Sequence, residues 1–459
     1  MHDYSPLSHR FIALNGLFAI IASYMIDTGV IYVLLFISLY FEVFMLVAFL
    51  ERRFRSVGPA LAIAHMPSVA IVVPCYNEEK TVTSTLLSLL ALEYPADKLE
   101  IIIVDDGSTD GTFATIQTFL KGVGVYRFSG ENTVRSEASP ADGKKIHTYP
   151  RISLFNKENG GKHTAMNFAL ERTKADLIGC LDADSEVNPG ALLASVGVFA
   201  DEQIAAVTPG IHPKQPRNIL QHLQFVEYRL SIFSRFMLAA LGSVFITPGP
   251  FSIFRTSVVR GLGGWRHGHS TEDLEMALRI QQEGHLIANA PMAIVHTGTP
   301  QKIRALFRQR VRWTYGFLRN AADYRSMFFN RSFGNLGIFI LPLSLISVGT
   351  GIFFFWRIVY WALSTFIHVS LRTAETGIYL QPSLSASSLN FATSTMWFLI
   401  YMSVTLMLGL IVAGTMIGTE GKAPPRATPL FLMFYSFLVP LWLGTAVVRA
   451  VFKTGVRWR

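Results

Sequence analysis

Charged residues and cysteines are scarce in this sequence. Of its 459 residues only 15% are charged, whereas 51% are hydrophobic, and the mean hydropathy is +0.37. This composition is too apolar for an ordinary soluble protein and predicts membrane spans attached to a polar domain. The two cysteines, Cys75 and Cys180, lie in apolar runs of the polar part, which argues against a disulfide framework. We interpret both thiols as reduced, cytosolic and structural.

Acidic residues are also in deficit. The chain has 31 of them against 40 lysines and arginines, a formal net charge of +9. Basic residues accumulate beside membrane spans on the cytoplasmic side, and others can receive anionic phosphates. The charge therefore requires no nucleic-acid partner, and membrane lipids are the expected surroundings of the apolar runs.

The N-terminal region lacks the pattern of a signal peptide. The apolar run of residues 11–25 is followed by a second run, residues 29–50, and not by a small-residue cleavage site. The first run is short for a span, whereas the second has the ~20 residues that a helix needs. Three arginines in residues 51–55 place this end in the cytoplasm. Glu42, inside the second run, is expected to face protein, either as a structural pair or in a functional role.

Long apolar runs return near the C-terminus. Residues 336–356, 391–417 and 429–451 are each long enough to span, and residues 358–369 are ambiguous between part of a span, a re-entrant piece and an interfacial helix. Basic residues at the C-terminus favour a cytoplasmic end, which six crossings satisfy and five do not. The predicted organisation is an N-terminal membrane region, a cytosolic domain, interface helices and a C-terminal membrane region, at residues 1–55, 66–300, 301–333 and 334–459.

The polar region alternates between strand and helix patterns. The apolar runs at residues 69–73 and 99–104 each precede a polar turn and a helical pattern, which predicts two βα units of a parallel sheet. Polar residues that follow such strands converge on one crevice. Residues 126–150 are polar and lack periodicity, so we interpret them as a mobile flap or a partner-specific loop.

Carboxylates stand at the predicted end of one strand and the predicted start of one helix. Asp182 and Asp184 follow the apolar run of residues 177–181. They are either hard oxygen ligands suited to Mg²⁺ or Mn²⁺ or part of an acidic turn. Thr271 as an N-cap would place Glu272 and Asp273 in the first turn of a helix, where the dipole favours negative charge. A carboxylate facing a crevice from there is also a natural general base.

Three further stretches each have two interpretations. Residues 300–331 are basic and amphipathic, typical of a membrane interface, and contain the sequence Gln309-Arg-Val-Arg-Trp313. Residues 247–254 are small and apolar, as in an acceptor pocket or a tight turn with packing aromatics. His267 and His269 form a His-x-His, either metal ligands or solvated loop histidines.

Five stretches in this order resemble the processive, membrane-integrated family 2 glycosyltransferases, the group of cellulose, chitin, hyaluronan and poly-N-acetylglucosamine synthases. They are Pro74-Cys-Tyr-Asn-Glu78, Asp105-Asp-Gly-Ser108, Asp182-Ala-Asp184, Thr271-Glu-Asp273 and Gln309-x-x-Arg-Trp313. The resemblance implies an α/β GT-A (Rossmann-like) domain on the cytosolic side, inserted between α-helical transmembrane segments of the plasma membrane. It implies inverting transfer from a nucleotide sugar, UDP-linked or GDP-linked, to a growing polysaccharide that is translocated through the membrane helices.

The resemblance also implies roles for individual residues. Asp184 would hold Mg²⁺ or Mn²⁺ together with Asp182, and Asp273 would be the general base with Glu272 beside it. Gln309, Arg312 and Trp313 would hold the diphosphate and the acceptor end. The nucleotide sugar would contact Pro74, Tyr76, Asn77, Glu78, Asp105, Asp106, Lys162 and Asp182. The gating loop that cellulose synthases carry after the last motif has no match here, which argues against cellulose as the product.

Two other functions remain as alternatives. A non-processive enzyme would place one sugar on a lipid carrier or glycolipid, although many such relatives lack the Gln-x-x-Arg-Trp motif. A catalytically silent subunit of a transport or secretion assembly would not need the motif carboxylates, all of which are present. The expected partners are a nucleotide-sugar donor and a polysaccharide or lipid-linked acceptor, and the sequence leaves accessory subunits open.

Overall fold

A computed structural model describes residues 29–50, 66–123, 128–129, 133–134, 150–376, 395–417 and 425–454. The apolar run of residues 11–25, the arginines of residues 51–55 and most of residues 126–150 lie outside these ranges, so the predictions made for them stay predictions. The chain divides into two compact units. One comprises residues 1–56 and 360–410, and the other residues 57–359 and 411–459.

The larger unit is built on a mixed sheet, which has eight strands in the described part of the chain. Its order is β5-β2-β1-β6-β9-β8-β10-β7, and β3 pairs with β4 in a separate hairpin. The strands are β1 Val69–Cys75, β2 Leu99–Asp105, β3 Phe128–Ser129, β4 Thr133–Val134, β5 Arg151–Asn156, β6 Leu177–Cys180, β7 Glu186–Val187, β8 Ile204–Pro213, β9 Ile253–Arg255 and β10 Leu286–Thr297.

The four strands from β5 to β6 are parallel, as the two predicted βα units require. Both faces of β1 are covered, since Ile71 and Val73 lie in one apolar core and Ala70 and Val72 in the other. Alternation of side chains between the faces therefore produces the continuous apolar run seen in the sequence. The antiparallel strands β9 and β7 extend this half into a mixed sheet.

Helices cover the two faces of this sheet. The core on one side takes residues of α2, α3 and α5, and the core on the other takes residues of α4, α7 and α8. The bounds are α2 Val82–Leu90, α3 Thr112–Gly122, α4 Lys162–Arg172, α5 Ala191–Val196, α6 Ile219–Ala240, α7 Thr256–Gly261, α8 Glu272–Gln282 and α9 Ile303–Asp323. This three-layer arrangement is the α/β architecture that the sequence predicts.

Apolar helices flank this domain in the sequence. They are α1 Gly29–Leu50, α10 Leu341–Thr376 with the π-helical turn Leu336–Ile340 before it, α11 Thr395–Ile417, and α12 Thr428–Leu430, which continues through the π-helical Phe431–Tyr435 into α13 Ser436–Val451. By length and composition three described helices can cross a membrane, or four if the bent pair around Ser436 is one span. Within the larger unit, α13 packs against α9.

Residues 358–369 belong to the same continuous helix as residues 336–356. The interpretation as a separate crossing is therefore wrong. The physical reason is that a polar residue between two apolar runs lowers hydropathy without ending a helix. The place of residues 358–369 within a span or at the membrane interface stays a prediction, because this helix of 40 residues is longer than the ~20 residues that cross a bilayer. In the smaller unit, the carboxylate of Glu42 accepts hydrogen bonds from Ser403 Oγ at 3.0 and 3.1 Å, so this carboxylate faces protein, as expected.

Candidate active site

The parallel strands end at one edge of the sheet and bring the predicted polar residues together there. Cys75 lies in register with Asp105, which is in register with Asn156, and the Leu181 amide donates to the Val72 carbonyl at 2.9 Å. Asp182, immediately after Leu181, thus stands beside the ends of β1 and β2. The convergence expected at the carboxyl ends of parallel strands is confirmed.

The loops after β1 and β2 are held to each other by hydrogen bonds. The backbone amide of Asn77, a residue with φ of 57°, donates to Ser108 Oγ at 3.0 Å, and Asn77 Oδ1 accepts from the Thr109 amide at 2.8 Å. The Glu78 amide donates to Thr112 Oγ1 at 2.8 Å. These bonds fix one rigid rim from two sequence-distant motifs.

Two predicted nucleotide contacts at this rim differ in exposure. Pro74 lies inside β1, in register with Val104 of β2, so it shapes the strand end. Tyr76, one residue beyond β1, is 39% exposed, and its ring is available to stack on a planar base.

Asp105, the last residue of β2, and Asp106, the residue after it, have different surroundings. Asp105 is buried and accepts a hydrogen bond from the Ser108 hydroxyl, and burial raises its pKa. The Asp106 carboxylate accepts from Lys157 Nζ at 2.5 Å and from the amides of Gly160 and Gly161 at 3.1 and 2.7 Å. Asp106 therefore anchors the glycine loop that leads into α4. Sequence reasoning missed this partnership of Lys157, although its Lys-Glu-Asn-Gly-Gly-Lys run carried the signal.

Lys162 links the end of β6 to the start of α8. Its Nζ lies 2.5 Å from Asp182 Oδ1 and 3.7 Å from Glu272 Oε1. Burial disfavours the charged ammonium, yet the neighbouring carboxylates raise the pKa of Lys162 well above its ordinary value. Lys162 is thus a fixed positive charge between the predicted donor and acceptor residues.

Gly249 lies directly on this ion pair. A Cβ at Gly249 would stand 2.3 Å from Lys162 Nζ and 2.9 Å from Asp182 Oδ2, so any larger residue there would force these two side chains to shift. The turn that contains Gly249 is held to α8, because Thr247 Oγ1 donates to the Asp273 carbonyl at 2.7 Å. The sequence indicates a stretch of small residues here. In the structure, a small residue is needed at Gly249 because the Lys162–Asp182 ion pair packs directly against it.

The remainder of residues 247–254 forms a turn into β9. Phe251 and Phe254 are buried in the two cores of the sheet. The interpretation as a tight turn with packing aromatics is confirmed for these two side chains, and the stretch borders the site through Gly249.

Asp184 is a half-buried carboxylate next to the edge of the sheet. It accepts a hydrogen bond from Ser185 Oγ at 3.1 Å, and a Cβ at Gly298, after β10, would lie 3.7 Å from Asp184 Oδ2. Burial and the nearby charge of Asp182 raise its pKa to about 6. A bound cation would favour the charged form of such a carboxylate.

Asp273 lies in the first turn of α8, as predicted. Its Oδ1 accepts from the Leu274 amide at 2.9 Å. Burial and the charge of Glu272 raise the pKa of Asp273 to about 6, while Lys162 and Arg312 act in the opposite direction. A carboxylate with a pKa near the operating pH suits general-base catalysis.

Thr271 occupies the N-cap position, but its side chain does not cap the helix. Its hydroxyl donates to the Gly268 carbonyl at 2.8 Å. The expected capping bond is therefore wrong. Residues 268–270 fold back in left-handed backbone conformations, and the Thr271 hydroxyl oxygen accepts from Asn320 Nδ2 at 3.0 Å instead of from an amide of α8.

The Gln-x-x-Arg-Trp motif lies in the N-terminal half of α9. Arg312 contacts the segment before α8, whereas Gln309 and Trp313 contact Arg310 of the same helix. Arg312 Nη1 donates to the Ser270 carbonyl at 3.4 Å, beside the start of α8. Gln309 Oε1 accepts from Arg310 Nη1 at 3.1 Å, and the Arg310 guanidinium stacks 4.2 Å from the centroid of the Trp313 ring. Trp313 itself is 39% exposed, as a platform for a sugar ring requires.

Arg310 is a residue of the site region that the sequence did not single out. Its Nη2 donates to Glu227 Oε2 of α6 at 2.6 Å, and Tyr435 donates to the same oxygen at 2.7 Å. This network ties α9 to α6 and to the helix before α13. Arg310 thereby fixes the orientation of Trp313.

The two histidines of the His-x-His have different partners. The His267 ring lies edge-on to His163, with 5.5 Å between centroids, and His269 Nε2 lies 2.7 Å from Asp323 Oδ2. No group of three or more His, Cys, Asp or Glu side chains suited to a metal occurs in the described ranges.

The comparison with known families decides the family of the chain. The description "Glycosyltransferase like family 2" matches residues 67–316, which is more than half of the sequence and contains all five motifs. The chain belongs to the family 2 glycosyltransferases. It is thus a glycosyltransferase, and the family assigned from its motifs is confirmed.

Curated relatives of this glycosyltransferase are polysaccharide synthases. The poly-beta-1,6-N-acetyl-D-glucosamine synthase of Staphylococcus aureus (strain COL) is 29% identical over 287 residues, which cover 61% of this chain and 63% of that protein. The enzyme of the same name from Staphylococcus epidermidis is 29% identical over 251 residues, 54% of each chain. The chain therefore spans less than two thirds of the length of these relatives.

A solved structure confirms the fold. The mannosyltransferase PcManGT from Pyrobaculum calidifontis, solved with GDP-Man and Mn²⁺, superposes with a TM-score of 0.53 at 17% identity, over 92% of this chain and 99% of that one. The fold class predicted from the sequence, a GT-A domain with apolar helices on either side of it in the sequence, is confirmed.

Proposed function

We propose that this glycosyltransferase is a membrane-integrated polysaccharide synthase. It transfers N-acetylglucosamine, with inversion, from a UDP-linked donor to a growing chain at the cytosolic face and passes the product through its own apolar helices. The observation that carries the proposal is the placement of α9, which contacts the start of α8 through Arg312 and packs along α13. The names of the relatives support the choice of sugar.

The donor is assigned to the edge of the sheet. Tyr76 would stack on the base, and the crosslinked rim around Asn77, Glu78 and Asp105 would receive the nucleoside. Lys162, held charged by its neighbours, would face the diphosphate as a point charge. Asp106 would stabilise this part of the site, because its carboxylate binds the amides of Gly160 and Gly161 in the glycine loop.

A divalent cation, Mg²⁺ or Mn²⁺, fits the carboxylates of Asp182 and Asp184. Asp184 is half-buried, with a raised pKa, and both residues offer the hard oxygen ligands that these ions prefer. No third metal-binding side chain joins them in the described ranges, which matches ions that keep water and substrate phosphates as ligands. When bound, the cation stabilises negative charge on the leaving diphosphate.

The transfer step requires a base opposite the leaving group. Asp273 would take the proton of the acceptor hydroxyl while that oxygen bonds to the anomeric carbon and the bond to the diphosphate breaks. Glu272 pairs with Lys162 at 3.7 Å and keeps the base aligned with the donor. Trp313, with Arg310 behind its ring, would carry the terminal sugar of the acceptor.

The proposal is tested with purified full-length protein, Mg²⁺ or Mn²⁺ and a panel of radiolabelled UDP- and GDP-sugars. We expect high-molecular-weight aqueous product from UDP-N-acetylglucosamine alone, and its loss on chelation with EDTA. Label confined to the lipid phase as a one-sugar adduct would contradict processivity. It would assign Gln309, Arg312 and Trp313 to a lipid acceptor.

The base assignment has its own test. In Asp273→Asn we expect donor affinity to be retained and transfer to fall by about 10²–10⁴-fold, the usual contribution of a general base. Glu283→Gln, an exposed change at the far end of α8, serves as the matched control. Transfer at the wild-type rate in Asp273→Asn would remove Asp273 from the mechanism.

A further inference from the structure

The segment that leads into Asp273 has an unusual backbone. Gly268, His269 and Ser270 have φ values of 52°, 53° and 68°, three consecutive residues in the left-handed region. Two of them carry a Cβ, which makes this conformation strained. A strained segment persists only where its surroundings determine it, so contacts with neighbouring elements must hold residues 268–270 in place.

One face of α9 supplies these contacts. Arg312 donates to the Ser270 carbonyl at 3.4 Å, Asn320 Nδ2 donates to the Gly268 carbonyl at 2.9 Å, and Asp323 lies 2.7 Å from His269 Nε2. Gly316 lies between them, and a Cβ there would stand 2.2 Å from Thr271 Oγ1. These four residues lie three or four positions apart, the spacing of a single helix face.

Asn320 is the centre of this contact. Its side chain is 1% exposed, and Nδ2 also donates to Thr271 Oγ1 at 3.0 Å. The Thr271 hydroxyl in turn donates to the Gly268 carbonyl, so one amide binds both ends of the strained segment. A cleft of about 510 Å³ lies between the segment and this end of α9, and both Gly268 and Asn320 line it.

We propose that Asn320 is a positioning residue for Asp273. By fixing Gly268 and Thr271, its amide determines where the first turn of α8 begins and where the Asp273 carboxylate points. The inference rests on the proposed function, in which Asp273 is the base. It adds a second role to α9, which holds the acceptor with one half and aims the base with the other.

The test compares Asn320→Ala with Asn335→Ala, an exposed asparagine whose one side-chain bond goes to the Leu241 carbonyl. We expect kcat to fall about 10²-fold in Asn320→Ala, the cost of misplacing a catalytic group by about 1 Å. The donor KM and the affinity for UDP should stay within twofold of wild type, because the donor residues lie at the ends of β1, β2 and β6, in the loops that follow them and at the start of α4. Asn335→Ala should retain wild-type kcat.

A second pair of variants tests the hydrogen bond between Asn320 and Thr271 without creating a cavity. Thr271→Val has the shape of threonine but no hydroxyl, and we expect the same fall in kcat at unchanged donor affinity. Thr271→Ser keeps the hydroxyl and should restore most of the turnover. This pair decides the question if Asn320→Ala does not fold, as judged by its melting temperature in detergent.

Double variants separate this inference from the proposed function. Asn320 acts through Asp273, so Asn320→Ala should cause no further loss in an Asp273→Asn background. An inactive Asp273→Asn beside fully active Asn320→Ala and Thr271→Val would overturn the inference alone, as would a parallel loss of UDP affinity. Wild-type turnover in Asp273→Asn would overturn the base assignment and the inference with it.

Discussion

Asp184 and Asp273 are carboxylates of the site whose pKa burial raises to about 6, but their neighbours differ. Asp182 and Glu78 add negative charge around Asp184, which favours a cation there. Around Asp273, Lys162 and Arg312 oppose the effect of Glu272. The same shift therefore suits ion binding at one carboxylate and proton transfer at the other.

The rate should depend on pH through Asp273. A base acts in its deprotonated form, so a pKa of about 6 predicts that kcat rises between pH 5 and 7 and reaches a plateau above. Below the midpoint the rate should fall about tenfold per pH unit. Initial rates at saturating donor and metal between pH 5 and 8 measure this.

Glu272→Gln tests the cause of the shift. It removes a negative neighbour that raises the pKa of Asp273, so the midpoint should move to lower pH. The exposed change Glu283→Gln should leave the profile in place. A kcat that is constant from pH 5 to 8 in the wild type would contradict Asp273 as the base.

Gly249→Ala should disturb the donor site although it replaces no charged residue. The added methyl would meet Lys162 Nζ at 2.3 Å and Asp182 Oδ2 at 2.9 Å, so the ion pair must separate or shift. We expect the donor KM to rise about tenfold, equivalent to about 1.4 kcal/mol of binding free energy. Gly261→Ala, where a Cβ meets nothing within 4 Å, is the matched control and should bind the donor normally. Equal KM values in the two variants would contradict a donor role for the Lys162–Asp182 pair.

Among the elements, α9 connects the site to the rest of the larger unit, through Arg312 to the start of α8 and through Arg310 to α6. Its Arg310 side chain is 5% exposed, and its ion pair with Glu227 is shared with Tyr435. Glu227→Gln would leave a buried guanidinium with a weaker partner, a loss on the order of 2 kcal/mol. We expect the thermal midpoint in detergent to fall by several degrees.

Activity provides the second measurement on Glu227→Gln. Trp313 depends on Arg310 for its position, so the acceptor KM should rise more than the donor KM. The control is Glu283→Gln, which should change the midpoint by less than about 1 °C. A variant as stable as the control would show that the Glu227 pair does not fasten α9.

Local patterns account for what could be predicted from the sequence. An apolar run that ends in aspartate marks a strand end, as at Asp105 and Asp182, and the amphipathic repeat of residues 300–331 marks the helix α9. Contacts between distant residues leave no such pattern. The hydrogen bond from Asn320 to Gly268 joins residues that are 52 positions apart. An asparagine and a glycine at these positions do not predict that they are in contact. Gly249 was visible as a small residue, but its neighbours Lys162 and Asp182 come from other elements.

On the scale of the whole molecule, charge and hydropathy together predict how the protein is oriented in the membrane. The three arginines of residues 51–55 and the basic residues of α9 adjoin apolar runs, which favours a cytoplasmic position for both. The GT-A domain lies between these segments in the sequence, so we expect it on the same side. Nucleotide sugars are charged and do not cross a lipid bilayer, which makes the orientation measurable.

We predict that only inside-out membrane vesicles use added donor. In such vesicles the cytoplasmic face is outside, so externally added UDP-N-acetylglucosamine should be incorporated at once and the polymer should accumulate inside, protected from added glycosidase. Right-side-out vesicles of the same membranes should incorporate label only after detergent permeabilisation, which is also the control for enzyme content. Incorporation by intact right-side-out vesicles would contradict a cytosolic domain. Polymer that glycosidase digests in intact inside-out vesicles would contradict export through the protein's own helices.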